Sequence, residues 1–215
     1  MNQNTIITIS RQYGSGGRIV AQKLAEALNI PFYDNELITF AAEKTGLSVE
    51  CFKDAEKTSI GNLFFSLTSL TPSLDSVGLP LNEKIFLVQS QVIKEVAAEG
   101  PCVIVGRSAN HVLQDNPNVI NVFLQADLPD RGKRAIDTYG QDAEGAEAMV
   151  IKTDKRRANY YNYFTGEKWG KAENYDEYVT ATCDRYSSNG YVIPYGDSPL
   201  DNYRVGEQVY LDIIN

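Results

Sequence analysis

The sequence has few of the residues on which several common kinds of active site depend. It contains a single histidine, His111, and three widely spaced cysteines without a CxxC pair. A Ser-His-Asp triad, a multi-histidine metal site and a disulfide framework therefore have little support. No apolar run approaches the roughly 20 residues that a membrane-spanning helix needs, and the N-terminal residues lack the pattern of a signal peptide. We expect a cytoplasmic protein with reduced thiols and no membrane partner.

Positive charge is also in short supply. Lysine and arginine together number 20 against 28 aspartates and glutamates, which gives a formal net charge of −8. Binding to nucleic acid requires a surplus of basic residues on one face, so we expect no nucleic-acid partner. A local basic cluster would still suit a small phosphorylated molecule. The length of 215 residues and the 43% hydrophobic content predict a single domain spanning residues 1–215.

Strand and helix patterns alternate along the chain. Short β-branched or apolar runs predict strands, and apolar residues at helical spacing predict helices. The predicted strands lie at 5–10, 31–33, 102–106, 119–126 and 175–183, and the predicted helices at 18–28, 36–46, 82–98, 127–140, 146–164 and 204–214. This alternation predicts an α/β fold with a mostly parallel sheet flanked by helices. The Ser-, Gly- and Leu-rich residues 58–81 predict an irregular flap that closes over a ligand or packs on the partner of a homodimer.

A glycine-rich loop follows the first predicted strand. Gly14, Gly16 and Gly17 surround Ser15 in the stretch "YGSGGR". Glycines permit positive φ and close approach of a ligand, and the N-terminus of the following helix offers N–H groups to an anion. The pattern predicts a phosphate-binding loop, although a tight turn without a ligand remains an alternative.

Two nucleotide-binding templates compete for this loop. The dinucleotide fingerprint G-x-G-x-x-G accommodates Gly14 and Gly16, and Asp34 stands where a ribose-binding acid would, but Ile19 occupies the third glycine position. The P-loop template G-x-x-x-x-G-K-[ST] fits better in length. It places Arg11 at the first glycine and Gly17 at the lysine. Neither template matches completely.

Charged residues near the predicted strand ends are the remaining candidates. Arg18, in the first turn of the helix, is the candidate replacement for the missing lysine, and Arg11 could contribute from the strand side. Arg107 follows an apolar strand and would suit an acceptor phosphate, or else forms an ion pair with a helix. Asp34 would orient the acceptor or hold Mg²⁺ through water, or else begin a helix. Arg18 could also be a solvated helix residue.

Four stretches together resemble the cytidylate kinase-like family of bacterial proteins. They are "ITISRQYGSGGRIVAQKLAEALNIPFYDNELI" at 7–38, "CVIVGRSANHVL" at 102–113, "VFLQADLPDRGKRAI" at 122–136 and "DKRRANYYNYFTGEKWGKAENYDEYV" at 154–179. The resemblance implies a P-loop kinase fold with a helical acceptor-binding insertion at about 35–98 and a lid at about 146–172. It implies transfer of the γ-phosphoryl group of ATP, with Mg²⁺, to a nucleoside monophosphate or another small phosphorylated acceptor.

The residue patterns and the resemblance together predict roles for individual residues. Catalysis falls to Arg18, Arg107 and Arg157, while acceptor binding falls to Asp34, Arg107, Arg156 and Arg157. ATP binding falls to Arg11, Gly14, Ser15, Gly16, Gly17, Arg18 and Ile19. No residue is assigned as a metal ligand. Because Gly17 and Ile19 replace the lysine and hydroxyl of the usual loop, a nucleotide-binding or regulatory protein without catalysis is the alternative.

Overall fold

The computed structural model describes residues 5–57, 79–182 and 191–194. Most of the predicted flap and all of the predicted helix at 204–214 lie outside the described residues. The homodimer contact suggested for the flap therefore stays a prediction, as does the division of residues 1–215 into core, insertion and lid.

The described residues form one six-stranded sheet at the centre of the structure. Its strands are β1 (Ile6–Arg11), β2 (Phe32–Tyr33), β3 (Cys102–Val105), β4 (Val119–Gln125), β5 (Glu177–Thr182) and β6 (Tyr191–Pro194). They are arranged in the order β2-β3-β1-β4-β5-β6. The first five strands run parallel, and β6 pairs with β5 in the antiparallel direction. The predicted parallel sheet is therefore confirmed.

Helices cover both faces of the sheet. They are α1 (Gly17–Leu28), α2 (Glu36–Thr45), α3 (Val49–Lys57), α4 (Leu81–Glu99), α5 (Ala109–Val112), α6 (Leu128–Asp137) and α7 (Ala146–Thr165), followed by a short 3₁₀ helix, Ala172–Asn174. Side chains alternate along a strand, so Ile6 of β1 packs with α2 and α4, whereas Ile7 and Ile9 pack with α1. β1 is thus buried from both sides.

Helix α3 and strand β6 were not predicted. The sequence of α3, VECFKDAEK, is mostly polar, and within its described part, residues 49–53, only Phe52 is fully buried. A single apolar anchor gives no helical periodicity in the sequence. Strand β6 has four residues, YVIP, and its final proline argues against a strand by propensity.

The sheet order brings the carboxyl ends of β1, β2 and β3 to one edge. Arg11 ends β1, Asp34 follows β2, and Gly106 and Arg107 follow β3. Residues that lie far apart in the sequence are therefore neighbours at the point where α/β proteins usually bind ligands.

Candidate functional site

A cavity of about 530 Å³ opens at this edge of the sheet. Its walls are the glycine-rich loop, the ends of β1 to β3, and one side of α7. The described residues that line it are Ser10, Arg11, Gln12, Tyr13, Gly14, Gly16, Gly17, Arg18, Asp34, Asn35, Gly106, Arg107, Ser108, Tyr139, Thr153, Arg156, Arg157, Tyr160, Tyr161 and Trp169.

The cavity concentrates positive charge in an acidic protein. Its lining includes five arginines, at positions 11, 18, 107, 156 and 157, and one carboxylate, that of Asp34. No lysine is among these lining residues. The guanidinium group donates in a planar fork that matches phosphate and carboxylate oxygens. A cavity of this composition is suited to a polyanion.

The loop at the head of α1 forms a concave cradle. Gly14 has φ +78° and Gly16 has φ +84°, in the left-handed region that favours glycine. Gly16 is the residue before α1, so the first N–H groups of the helix lie at the wall of the cavity. A helix N-terminus with closely approachable backbone is a general phosphate-binding element.

Side chains from α6 and α7 hold the loop in place. Arg134 donates to the carbonyl oxygen of Gly14 at 2.7 Å, and Arg157 donates to that of Arg11 at 2.8 Å. The N–H of Tyr13 donates to Asp154 at 2.7 Å, and Asp154 also pairs with Arg131. The loop is therefore fixed before any ligand binds, which lowers the ordering cost of binding.

Asp34 is shared between two arginines. Its carboxylate lies 2.9 Å from Nε of Arg18 and 3.7 Å from Nη2 of Arg11. The Asp34 side chain is 5% exposed, whereas that of Arg18 is 54% exposed. Asn35, and not Asp34, precedes α2 as its cap residue, and it makes no capping side-chain hydrogen bond. Asp34 therefore partially neutralises the cationic wall of the cavity.

Arg107 has an unusual backbone conformation. It has φ +59°, and Ser108 after it has φ +54°; side chains rarely adopt this region, which costs on the order of 1–3 kcal/mol per residue. Burial, together with repulsion from Arg11, lowers the pKa of Arg107 to about 10. Strained backbone and a destabilised charge are typical of a site shaped for a ligand.

Arg157, like Arg107, is a buried cation that is repelled by Arg11. Burial, together with repulsion from Arg11, lowers its pKa to about 9, and burial also lowers the pKa of Arg11. The guanidinium of Arg157 lies 5.5 Å from the centre of the Tyr13 ring, a distance at which a cation is attracted to an aromatic face. An anion in the cavity would relieve the repulsion among these arginines.

Tyrosines complete the α7 side of the cavity. The Tyr161 hydroxyl donates to Glu167 at 2.7 Å and accepts from Asn110 at 2.9 Å, while the Tyr160 hydroxyl bonds to Gln89 of α4 at 3.1 Å. Burial raises the pKa of both tyrosines. These contacts tie α7, the predicted lid helix, to α4 and α5.

Most of the residues predicted for the site line this one cavity. The structure brings together Arg11, Gly14, Gly16, Gly17, Arg18, Asp34, Arg107, Arg156 and Arg157. Two others lie elsewhere: the buried Ser15 hydroxyl donates to the carbonyl of Gln12 at 2.9 Å, and Ile19 is 38% exposed on α1. Their roles, like those of the residues in the cavity, stay predictions.

Several residues at the site were not predicted from the sequence. Tyr13 and Gln12 line the cavity, and they could have been predicted because they lie inside the loop stretch "SRQYGSGGR". Tyr139 follows α6, and its approach to the Tyr13 ring, 5.6 Å between centroids, had no sequence signal. Asp154 was not predicted to belong to the site.

The family comparison matches this architecture. The sequence matches the model of the cytidylate kinase-like family over residues 6–182. The chain belongs to the cytidylate kinase-like family. Together with the sheet order, this membership identifies a P-loop kinase fold, and it indicates the use of a nucleotide and a metal in general terms.

Other proteins resemble this cytidylate kinase-like protein over different lengths. A solved structure of an uncharacterized protein from Eubacterium ventriosum ATCC 27560 has 32% sequence identity and a TM-score of 0.62, and the match covers 84% of this chain and 90% of that chain. An uncharacterized protein from Streptococcus mutans serotype c is 58% identical over 38 residues, which is 18% of this chain and 8% of that protein. Shikimate kinase from Bacteroides thetaiotaomicron has 16% identity and a TM-score of 0.48, covering 82% of this chain and 86% of that one.

The described residues of this family member do not assemble a metal site from protein ligands. They contain no group of three His, Cys, Asp or Glu side chains placed to hold a metal ion. The P-loop hydroxyl that would bind Mg²⁺ is replaced at Arg18 or Ile19, and the Asp34 carboxylate faces two arginines. Among the described helices, none has both the length and the apolar character needed to cross a bilayer.

Proposed function

We propose that the protein is an ATP-dependent phosphotransferase that moves the γ-phosphoryl group to a nucleoside monophosphate or another small phosphorylated acceptor. The observation that carries this proposal is the gathering of five arginines around a glycine cradle in one cavity. Phosphoryl transfer demands positioning and positive charge more than covalent chemistry. A cavity rich in arginine supplies both requirements.

The two ends of the cavity suit the two substrates. The N–H groups at the start of α1, with Gly14 and Gly16, would bind the ATP phosphates. Arg107 and Asp34, at the ends of β3 and β2, would bind and orient the acceptor. Arg157 reaches the loop from α7, where it bonds to the Arg11 carbonyl, and would stabilise charge on the transferred group.

Several neighbouring side chains would limit the access of water. Tyr160 and Tyr161 line the α7 side of the cavity and have raised pKa values because they are buried. A drier site strengthens each cation–phosphate interaction and disfavours hydrolysis of ATP. The proposal places this activity in the cytoplasm with small-molecule partners, in keeping with the free thiols of Cys51 and Cys102.

A second candidate is a nucleotide-binding protein that has lost catalysis. It is favoured by two observations: the position of the Mg²⁺-binding hydroxyl is taken by Arg18 or Ile19, and Asp34 is engaged by arginines. Such a protein would bind ATP in the same cradle without turnover.

The deciding experiment measures ADP release from ATP and MgCl₂ with a panel of nucleoside monophosphates and small phosphorylated metabolites. We expect acceptor-dependent turnover that falls roughly 100- to 1,000-fold in Arg107→Met, a loss typical of removing one group that stabilises developing charge. Lys23→Met is the matched control, because Lys23 is an exposed cation of α1 that does not line the cavity.

The outcomes separate the two candidate functions. Turnover with one acceptor, unchanged in Lys23→Met and lost in Arg107→Met, supports the phosphotransferase. ATP binding by calorimetry without turnover on any acceptor in the panel favours the binding protein. Absence of both ATP binding and turnover contradicts both candidates.

A further inference from the structure

Arg11 fills the space that a side chain at position 17 would need. A Cβ atom built on Gly17 would lie 2.6 Å from Cβ and 2.9 Å from Cγ of Arg11. Real Cβ atoms essentially never approach other atoms so closely. Gly17 stands at the lysine position of the P-loop template, so the aliphatic stem of Arg11 excludes a lysine there.

The guanidinium of Arg11 continues from this point across the head of the cavity. A Cβ atom built on Gly106, after β3, would overlap Nη1 of Arg11. Nη2 of Arg11 lies 3.7 Å from the Asp34 carboxylate. The side chain therefore starts at the first-glycine position of the template, passes over Gly17 and ends between the carboxyl ends of β2 and β3. Two glycines, at 17 and 106, leave room for this path.

Arg11 and Arg18 differ in how they occupy the cavity. The Arg11 side chain is 19% exposed, whereas that of Arg18 is 54% exposed and uses its Nε to bond to Asp34 at 2.9 Å. Burial lowers the pKa of Arg11, which means that its charge lacks full compensation by solvent. Arg11 is thus the inner cation of the loop and Arg18 the outer one.

We propose that Arg11 takes over the work of the missing P-loop lysine. Its guanidinium binds the β- and γ-phosphates of a nucleoside triphosphate, entering from the strand side, and Gly17 is a glycine because the stem of Arg11 lies there. The template has glycine at position 11 and lysine at position 17, whereas this chain has arginine at position 11 and glycine at position 17. The cation and the glycine have therefore exchanged positions. Arg18 has the lesser role of holding Asp34.

This inference rests on the proposed use of ATP, so its test measures binding separately from turnover. Isothermal titration calorimetry with ATP, inorganic tripolyphosphate and AMP compares the wild type with Arg11→Met, Arg18→Met and the control Lys23→Met. We expect Arg11→Met to weaken ATP and tripolyphosphate binding by about 10- to 100-fold, the loss typical of a charged hydrogen bond. AMP has no β- or γ-phosphate, so the affinity of Arg11→Met for AMP should fall much less. The affinity of Arg18→Met should fall only a few-fold for each of the three probes.

A double-mutant cycle tests the exchange of positions. Gly17→Lys alone should lose ATP affinity because it collides with the stem of Arg11, and Arg11→Gly alone should lose it because the cation is gone. The double variant Arg11→Gly with Gly17→Lys restores the template residues at positions 11 and 17 and should bind ATP at least about tenfold more tightly than either single variant. If Gly17→Lys does not fold, Gly17→Ala replaces it: the melting temperature should fall in the wild-type background and fall less in Arg11→Gly.

Each outcome bears on a different claim. If Arg11→Met binds ATP as tightly as the wild type while Arg18→Met loses it, the role of Arg11 is overturned and the phosphotransferase proposal stands. If the folded double variant is as weak as both single variants, the exchange of positions is overturned. If the wild type binds neither ATP nor tripolyphosphate, the proposed function fails and this inference fails with it.

Discussion

Gly14 is the residue of the loop with the least room for change. A Cβ atom there would lie 2.5 Å from the backbone oxygen of Arg131, at φ +78°. Gly46 is a matched control, because it has φ +70° and no atom within 4 Å of its Cβ position. We expect Gly46→Ala to lower the free energy of unfolding by about 1–2 kcal/mol, the cost of the left-handed conformation alone.

Gly14→Ala should cost more than this, on the order of 3 kcal/mol or more, because the backbone of α6 must also move away. It should also weaken ATP binding, since α6 holds the loop. Urea unfolding gives the stability difference, and calorimetry gives the affinity. Equal costs for the two variants would show that the contact with Arg131 does not constrain the loop.

At the level of single residues, the glycine-rich loop could be predicted from the sequence, but the side chains that hold it in place could not. Gly14, Gly16, Arg18 and Arg107 could be predicted because each follows a strand or lies at the start of a helix. Arg156 and Arg157 lie in the middle of α7 and were predicted from the family resemblance. The bond from Tyr13 to Asp154 joins residues 141 positions apart, and no local pattern records such a contact. Likewise, the packing of the Arg11 side chain over Gly17 can be seen only in the three-dimensional structure.

At the scale of elements, the pairing of Asp154 with Arg131 joins α7 to α6 and to the loop. The Asp154 side chain is 14% exposed and that of Arg131 is 9% exposed. Breaking a buried pair from one side typically costs about 3–5 kcal/mol, because the other charge is left without compensation. We therefore expect Asp154→Asn to lower the free energy of unfolding by roughly 3 kcal/mol and to weaken ATP binding through the loosened loop.

Lys44 and Glu95 provide the matched control, a salt bridge whose side chains are 45% and 43% exposed. Exposed pairs contribute about 0–1 kcal/mol, so Lys44→Met should change the free energy of unfolding by no more than this. Both variants are measured by urea unfolding at the same salt concentration. A cost below about 1 kcal/mol for Asp154→Asn would contradict the idea that this pair supports the loop.

Elements with their own start and stop signals were the ones that could be predicted. Helix α6 begins after Asp127 with a proline in its first turn, close to its predicted start, and β1 is a β-branched run buried along most of its length. Helix α3 has one fully buried side chain, that of Phe52, among its residues 49–53, and β6 is a short edge strand, so tertiary contacts and not local periodicity decide their structure.

At the scale of the whole molecule, charge is strongly segregated. A chain of net charge −8 gathers five of its arginines around one cavity with a single carboxylate. A basic cavity in an acidic protein is expected to attract small polyanions. The affinity for ATP should therefore depend on protonation of the cavity arginines.

The binding of ATP should be insensitive to pH near neutrality and should weaken above about pH 9. Burial and the neighbouring Arg11 lower the pKa of Arg157 to about 9 and that of Arg107 to about 10. Both groups are protonated at pH 7, and the protonated form is the one that attracts phosphate. As pH rises through these values the free protein loses charge from the cavity, and affinity falls. A bound phosphate favours the protonated form and raises both pKa values again.

Binding at pH 9 should accordingly take up protons from the buffer, whereas binding at pH 7.5 should take up almost none from these groups. Calorimetry in two buffers of different ionisation enthalpy measures this uptake directly, with Lys23→Met as the control for general loss of positive charge.

The lowered pKa values of the cavity arginines also affect the stability of the folded protein. The folded state lowers the pKa of these cations, so their charge opposes folding at neutral pH. This opposition begins to decline as pH rises above the folded-state values and is lost completely only above the higher unfolded-state value. Bound ATP should therefore raise the melting temperature most at neutral pH. An affinity that stays constant to pH 10, with no proton uptake, would show that the arginines are not destabilised in the free cavity.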